Sequence, residues 1–327
     1  MGVEQEIGNG ILPGVRFVMQ QARHVSIERA GVQRAADEIV RRELPIPGWN
    51  ATWHFTDGSW RTAHYLLVLD ALNFSFWARP DVPRWGIDYA GQSLRGYWAL
   101  AAALKRAIEA GYPLYEASFM ADCPAETLAG ILAGRGEIPL FEARLAHLHE
   151  VGQTLLSHWE GRFTNFLAAC EGSAVRVAER LPEAFPSFRD ESLYAGRSIR
   201  LAKRAQILPA DLWGAFAGEG PGRFHDIDGL TAFADYKVPQ VLEALGVLRY
   251  SDALVTCLTA AEELPAHGEM EVELRAATIL GVEILREVLA ARGRVLSAVE
   301  LDWILWELGL SPDVRFKPYH LTRTTAY

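Results

Sequence analysis

The chain has 327 residues, half of them hydrophobic, and a net charge of −9. That length supplies a substantial core, as one large domain or two intimate subdomains. The acidic balance argues against a protein that coats duplex nucleic acid, which needs a broad basic face, but leaves room for a local anion site.

In chain order, the opening MGVEQEIGNG lacks the basic and apolar regions of a signal peptide, and Glu6 stands where a myristoylation signal needs Ser or Thr. SIERAGVQRAADEIVRREL places Ile27, Ala30, Ala35 and Ile39 near helical spacing, with charge on the other side. Residues 49–98 hold six of the ten tryptophans. Within them RWGIDYAGQSLRGYW alternates in short pieces around Ala90 and Gly91, which predicts a small β-hairpin. Pro139 is placed to open a helix over PLFEARLAHLHEVGQTLLSHW.

In GRSIRLAKRAQILPADLW, Arg197, Arg200 and Lys203 make one basic stripe if the segment is helical, and Arg204 adds to it. Such a stripe suits an anionic group, although a solvated face is the ordinary reading. Asp228 is placed to cap a short helix over GLTAFA, and Pro239 to begin another that ends before Gly246. Asp235, Tyr236 and Lys237 then sit in a tight turn of helix–hairpin–helix type. The Asp235 carboxylate faces the positive end of the second helix with Lys237 nearby, and both favour its ionised form. A turn aspartate is ordinarily a cap; a fixed anion there also suits a transition state that develops positive charge.

Residues 269–292 repeat apolar positions at helical spacing, and Gly293 is placed to end that helix. Ser297 and Glu300 form a capping box for AVELDWILWELG. The tail VRFKPYHLTRTTAY interleaves Arg315, Lys317, His320 and Arg323 with Phe316, Tyr319 and Tyr327; a solvated tail is the default, but this aromatic content suits a segment that folds back over the body.

No apolar run spans a bilayer. Cys123, Cys170 and Cys257 form no CxxC motif and no even framework, which suits a reducing cytoplasm. HLHE puts His147 and His149 on different helix sides; with no HExxH, P-loop or GxGxxG, no metal or cofactor is expected. The chain uses four lysines against 28 arginines, so Lys203 and Lys237 are less routine choices than any arginine. The expected fold is mainly α, one compact helical domain over residues 1–327 with a small β-hairpin.

Taken together, LAKRAQILPADLW, DIDGLTAFADYKVPQVLEALGVLRYS, LNFSFW with GYWAL, EVELRAATILGVEIL and PYHLTRTTAY resemble the queuosine salvage protein family. The resemblance implies a fold similar to helix–hairpin–helix DNA glycosylases. It implies hydrolysis of the N-glycosidic bond of queuosine 5′-phosphate, releasing queuine for reinsertion into tRNA. The partner implied is a small nucleotide, with no direct nucleic acid and no membrane. Asp235 matches the family's catalytic aspartate, as base toward water or as nucleophile at C1′. Lys203 matches the lysine of the KRAQ segment, holding phosphate or tuning Asp235.

A 7-deazaguanine has carbon in place of N7, so its departure is helped by hydrogen bonds elsewhere on the ring; Asn73 and Glu273 are candidates. Phe74 and Trp77 are candidates to stack on the base. His320, Arg323 and Tyr327 are candidates for the phosphate, and Phe233, Tyr236 and Lys237 flank the aspartate. Two other classes stand beside this reading: a glycosylase acting on nucleic acid, and a non-catalytic helical protein that binds queuine-type ligands or another protein.

Overall fold

The computed structural model describes residues 10–79, 81–311 and 316–327. The reading of the first nine residues and the assignment of Arg315 to the tail lie outside the described residues. The chain is mainly helical. Its longest helix, Glu269–Ala291, runs between two apolar clusters. Val272, Ala276 and Ile279 enter one cluster; Leu274, Ala277, Val282, Leu285 and Leu289 enter the other. A helix apolar on nearly every side belongs in an interior. Gly293 follows it in the left-handed region, at φ 84°.

The helix expected over residues 26–44 forms at Arg29–Arg41. Ile27 belongs instead to a short strand, Val25–Ile27, paired antiparallel with Leu248–Tyr250. Ser297 and Glu300 close the expected capping box on Ala298–Leu308. The helix expected from Pro139 starts two residues later, at Phe141–His158, because Leu140 is left-handed at φ 54°. No helix among the described residues is long and apolar enough to cross a membrane.

The predicted hairpin pairs Gly86–Tyr89 with Gln92–Arg95. A second hairpin, not expected, pairs Glu191–Tyr194 with Arg197–Arg200. Both turn on an Ala–Gly pair with positive φ at both residues, Ala90 and Gly91 at 50° and 76°, Ala195 and Gly196 at 48° and 79°. That is the turn whose twist matches paired strands.

The second hairpin removes the basic stripe. Arg197 and Arg200 lie on a strand, and the helix Lys203–Ala215 begins only after Ala202. Arg197 sits over the Phe17 ring, Arg200 donates to the carbonyl oxygens of Ala178 and Glu179, and Lys203 and Arg204 are buried.

The short helix expected over GLTAFA is also absent. A 3-10 turn, Ile227–Gly229, leads through an extended Leu230 into a stretch without regular secondary structure, and residues 230–235 are all buried. Buried backbone outside a helix or sheet needs side chains for partners. Gln206 Oε1 accepts the Thr231 amide at 2.8 Å, Asp302 Oδ1 accepts the Phe233 amide at 2.8 Å, and Arg275 Nε donates to the Ala234 carbonyl oxygen at 3.0 Å. Three polar side chains from three other helices thus stand where a helix would bond to itself. The second expected helix does form, at Val238–Ala244, with Pro239 in its first turn.

Residues 316–327 fold back over the body, as their aromatic content suggested. Leu264 donates to the Leu321 carbonyl oxygen at 2.7 Å, Trp77 Nε1 to that of Thr322 at 2.9 Å, and the Ser75 amide to that of Tyr327 at 2.8 Å.

Candidate active site

A cleft of about 470 Å³ opens where these segments converge. The helix Lys203–Ala215 presents Lys203, Ile207 and Asp211 to it, one face at spacing i, i+4, i+8. The helix Ala298–Leu308 presents Asp302, Trp303 and Trp306. The first hairpin brings Arg84, Trp85 and Arg95, and the helix that follows it, Gly96–Glu109, adds Tyr97 and Trp98. Trp49, Trp53 and His54 come from the preceding loop, and Tyr319 and Tyr327 from the tail.

Asp235 lies on this cleft and is 8% exposed. Its Oδ1 accepts the amides of Lys237 at 2.7 Å and Val238 at 2.9 Å, while Oδ2 has no hydrogen bond among the described residues. One oxygen is thus fixed by the start of the next helix and the other left for the cleft. Burial pushes the Asp235 pKa up, against the sequence expectation; the Lys203 charge, the two amides and Lys237 pull it back. Lys203 is buried, and no side-chain hydrogen bond holds its ammonium among the described residues. Burial lowers its pKa, while Asp235, Asp70 and Asp302 act to raise it.

Four buried aspartates therefore share one buried lysine. Burial holds Asp302 well above the ordinary carboxylate range, with the Asp235 charge adding to it, and burial does the same for Asp70, with Asp211 adding. Asp211 is pushed up to about 7 by burial, against Tyr97 and Lys203. Asp235 has the most compensation: two amides and two ammonium groups.

Of the residues singled out in the sequence, the cleft gathers Asn73, Lys203, Phe233, Asp235, Tyr236, Lys237 and Tyr327. Tyr236 packs on Tyr319 at 4.9 Å between ring centroids, and Lys237 lies over that ring at 5.5 Å and donates to the Gly309 carbonyl oxygen.

The other five candidates do not line it. Phe74 is fully buried beneath the guanidinium of Arg144, 4.2 Å from its ring centre. Trp77 is committed to the tail by its indole N–H, with Arg323 over its ring at 5.2 Å. Arg323 itself is exposed and pairs with Glu263 at 3.3 Å. His320 is buried against the Tyr327 hydroxyl at 3.0 Å, and burial lowers its pKa to about 3, so it is neutral.

Glu273 accepts the amides of Arg23, His24 and Val25 and the hydroxyl of Tyr194, which occupies both its oxygens. With His24 and Glu269 it makes the one group of metal-ligating types found among the described residues, and those hydrogen bonds already account for it. Asp211, Asp302, Tyr97, Trp303 and Trp306 were not singled out from the sequence, yet all line the cleft.

The model of the queuosine salvage protein family matches residues 53–327. A queuosine 5′-phosphate N-glycosylase/hydrolase of Sphaerobacter thermophilus is 49% identical over 318 residues, covering 97% of this chain and 98% of that protein. The protein of the same name from Mus musculus is 36% identical, over 95% of this chain and 97% of its own length. The one from Schizosaccharomyces pombe is 34% identical, over 91% and 90%.

Proposed function

The chain belongs to the queuosine salvage protein family, and from that premise we propose that it hydrolyses the N-glycosidic bond of queuosine 5′-phosphate, releasing queuine and ribose 5-phosphate. The observation that carries the reading is Asp235, with Oδ1 tied by two amides and Oδ2 open on an aromatic cleft beside Lys203.

As the C1′–N bond lengthens, positive charge grows on the ribose, and a fixed carboxylate against C1′ stabilises it more than it stabilises the substrate. Asp235 is the aspartate of the cluster with the most groups favouring its charge, two amides and two ammonium groups set against its burial. Lys203 acts on that charge from the buried floor, a job that needs no Schiff base. The half-buried indoles of Trp49, Trp303 and Trp306 offer faces for a planar base. At the exposed end, Arg84, Arg95 and Lys237 supply positive charge for the 5′-phosphate.

The substrate is a free nucleotide. A single domain over the whole chain is supported by the relatives that align along nearly all of it and by the core that residues 25–41 share with the central helix. Cytoplasmic residence fits free thiols at all three cysteines. The likeness to helix–hairpin–helix glycosylases rests on the helix after Asp235, since the segment before it has no regular secondary structure.

The test is queuine release from queuosine 5′-phosphate by wild type and Asp235→Asn. The Asn carboxamide oxygen still accepts both amides, so the variant folds. Its kcat is expected to fall by roughly 10²–10³-fold, the range for losing one transition-state electrostatic group. Equal release by both proteins would remove Asp235 from the reaction. No release by wild type would move the protein to the binding class.

A further inference from the structure

His54, Tyr97 and Asp211 form a chain of hydrogen bonds that ends at the cleft. His54 Nδ1 is 2.8 Å from the Asn50 carbonyl oxygen, its Nε2 is 2.9 Å from the Tyr97 hydroxyl, and that hydroxyl is 2.9 Å from Asp211 Oδ2. A carbonyl oxygen only accepts, so Nδ1 carries a hydrogen. His54 is buried and its pKa is lowered to about 4, chiefly by burial and further by the Lys105 charge, so its Nε2 is an acceptor and takes the Tyr97 proton. Tyr97 has one proton to give: donated to Asp211 it would pull that carboxyl's pKa down, but committed to His54 it no longer does. The second 2.9 Å contact is then made by a proton on Asp211. The alternative, an imidazolium facing a carboxylate through Tyr97, holds the same extra proton but separates two charges in a buried site, which burial disfavours.

We propose that Asp211 is the general acid of this reaction: the His54–Tyr97 chain keeps a proton on its carboxyl, and that proton goes to the departing base. The proposal rests on the hydrolase reading above. Asp211 lies on the cleft two helical turns beyond Lys203 on the same face. The groups facing it are Lys203 on its own helix, Tyr97 on the helix Gly96–Glu109, and Asp70 and Tyr65 on the helix Trp60–Ala71. Tyr65 donates to the Ala101 carbonyl oxygen, and burial keeps its phenol protonated.

A base without N7 leaves poorly as an anion, so a proton supplied as the bond breaks matters. The C1′–N bond breaks with its electron pair on the base, and the Asp211 proton neutralises that pair. Water adds hydroxide to C1′ and gives up a proton that restores the Asp211 carboxyl. The net change is one water consumed and a neutral base and ribose 5-phosphate released.

The test compares queuosine 5′-phosphate with p-nitrophenyl β-D-ribofuranoside 5-phosphate, whose leaving group departs unprotonated. Asp211→Asn keeps a donor toward Tyr97 but has no acidic proton. It is expected to lose roughly 10²–10⁴ in kcat on the nucleotide, the usual worth of a general acid, and to stay within a few-fold of wild type on the nitrophenyl compound. Asp235→Asn is expected to be slow on both. Equal losses for Asp211→Asn on the two substrates, or none on the nucleotide, would overturn the acid.

The pH profile of kcat on the nucleotide reads the same group independently. The wild-type rate falls on the alkaline side, Asp211→Asn lacks that limb, and Tyr97→Phe moves it to lower pH. A limb that persists in Asp211→Asn, or stays in place in Tyr97→Phe, would overturn the acid or the relay respectively. Failure of the wild type to release base from the nucleotide would instead defeat the reading of the reaction itself.

Discussion

The Arg275 guanidinium donates to the Ala234 carbonyl oxygen at 3.0 Å, one residue before Asp235, and grips Asp190 with its two terminal nitrogens at 2.8 and 2.6 Å. Asp190 in turn accepts the Lys203 amide at 2.8 Å. One buried ion pair therefore ties together the backbone beneath Asp235 and beneath Lys203.

That linkage predicts a double phenotype for Arg275→Met. The change leaves Asp190 as a buried carboxylate without its cation, which costs about 3–5 kcal/mol of stability. It also frees the Ala234 carbonyl, so Asp235 shifts against the substrate. Chemical denaturation should show the stability loss, and kcat measured well below the unfolding transition should fall while the fold persists. An unchanged kcat at that temperature would make Arg275 a purely structural residue.

Asp302 gives a sharper contrast between two substitutions. It accepts the Phe233 amide through Oδ1, and burial with the nearby Asp235 charge pushes its pKa well above the ordinary carboxylate range, toward the neutral acid. Asn reproduces a neutral acid and its acceptor, so Asp302→Asn should cost little stability. Asp302→Ala strands the Phe233 amide and should cost about 1–3 kcal/mol. Thermal melts of the two variants beside wild type decide it; equal losses would show that Asp302 is stabilising as a charge.

Stability should also depend on pH through Asp211. Its folded pKa lies at about 7 against an ordinary 3.8. A raised pKa means the folded state holds the proton more tightly. Its contribution is fully present below about pH 4 and is lost as pH rises through about 7. Asp211→Asn removes that loss, so the variant should gain on wild type between pH 5 and pH 8. Melting temperatures of both proteins across that window test the sign; a constant difference would mean that Asp211 is already ionised at pH 5.

Periodicity and a capping box made the helices over residues 29–41, 269–291 and 298–308 legible, because they bury one face or a whole circumference. The Asp235 turn was legible through Pro239 and the polar triplet before it. The stretch before that turn was not. TAFA carries no helix-breaking residue, and what holds it out of a helix is Gln206, Asp302 and Arg275, which approach from 25 to 69 positions away in sequence. The acid cluster was hidden for the same reason, since Asp70, Asp211 and Asp302 look like ordinary helix aspartates until three helices converge. A signal for Asp211 was present in its spacing from Lys203, four plus four residues along one helix. The second hairpin repeats the Tyr–Ala–Gly turn of the first, a local signal the helical stripe overrode. His320 and Arg323 read as cations in the sequence, and burial removes the first from the cleft and an outward position the second.

Toward the 5′-phosphate, the positions of two arginines part company. Arg84 is exposed on the cleft rim, 5.6 Å above the Tyr319 ring, while Arg323 is exposed away from it, against Glu263. A hydrogen bond to a charged group contributes about 1.5–3 kcal/mol. Arg84→Ala should therefore raise KM for queuosine 5′-phosphate by roughly 10–100-fold. It should leave turnover of the unphosphorylated nucleoside near its wild-type level. Arg323→Ala removes an exposed ion pair of the kind that contributes little, so it should change neither. Measuring both variants on nucleotide and nucleoside separates charge at the rim from charge elsewhere. If Arg84→Ala weakens both substrates alike, its guanidinium supports the Tyr319 wall and the phosphate is held by Arg95 and Lys237.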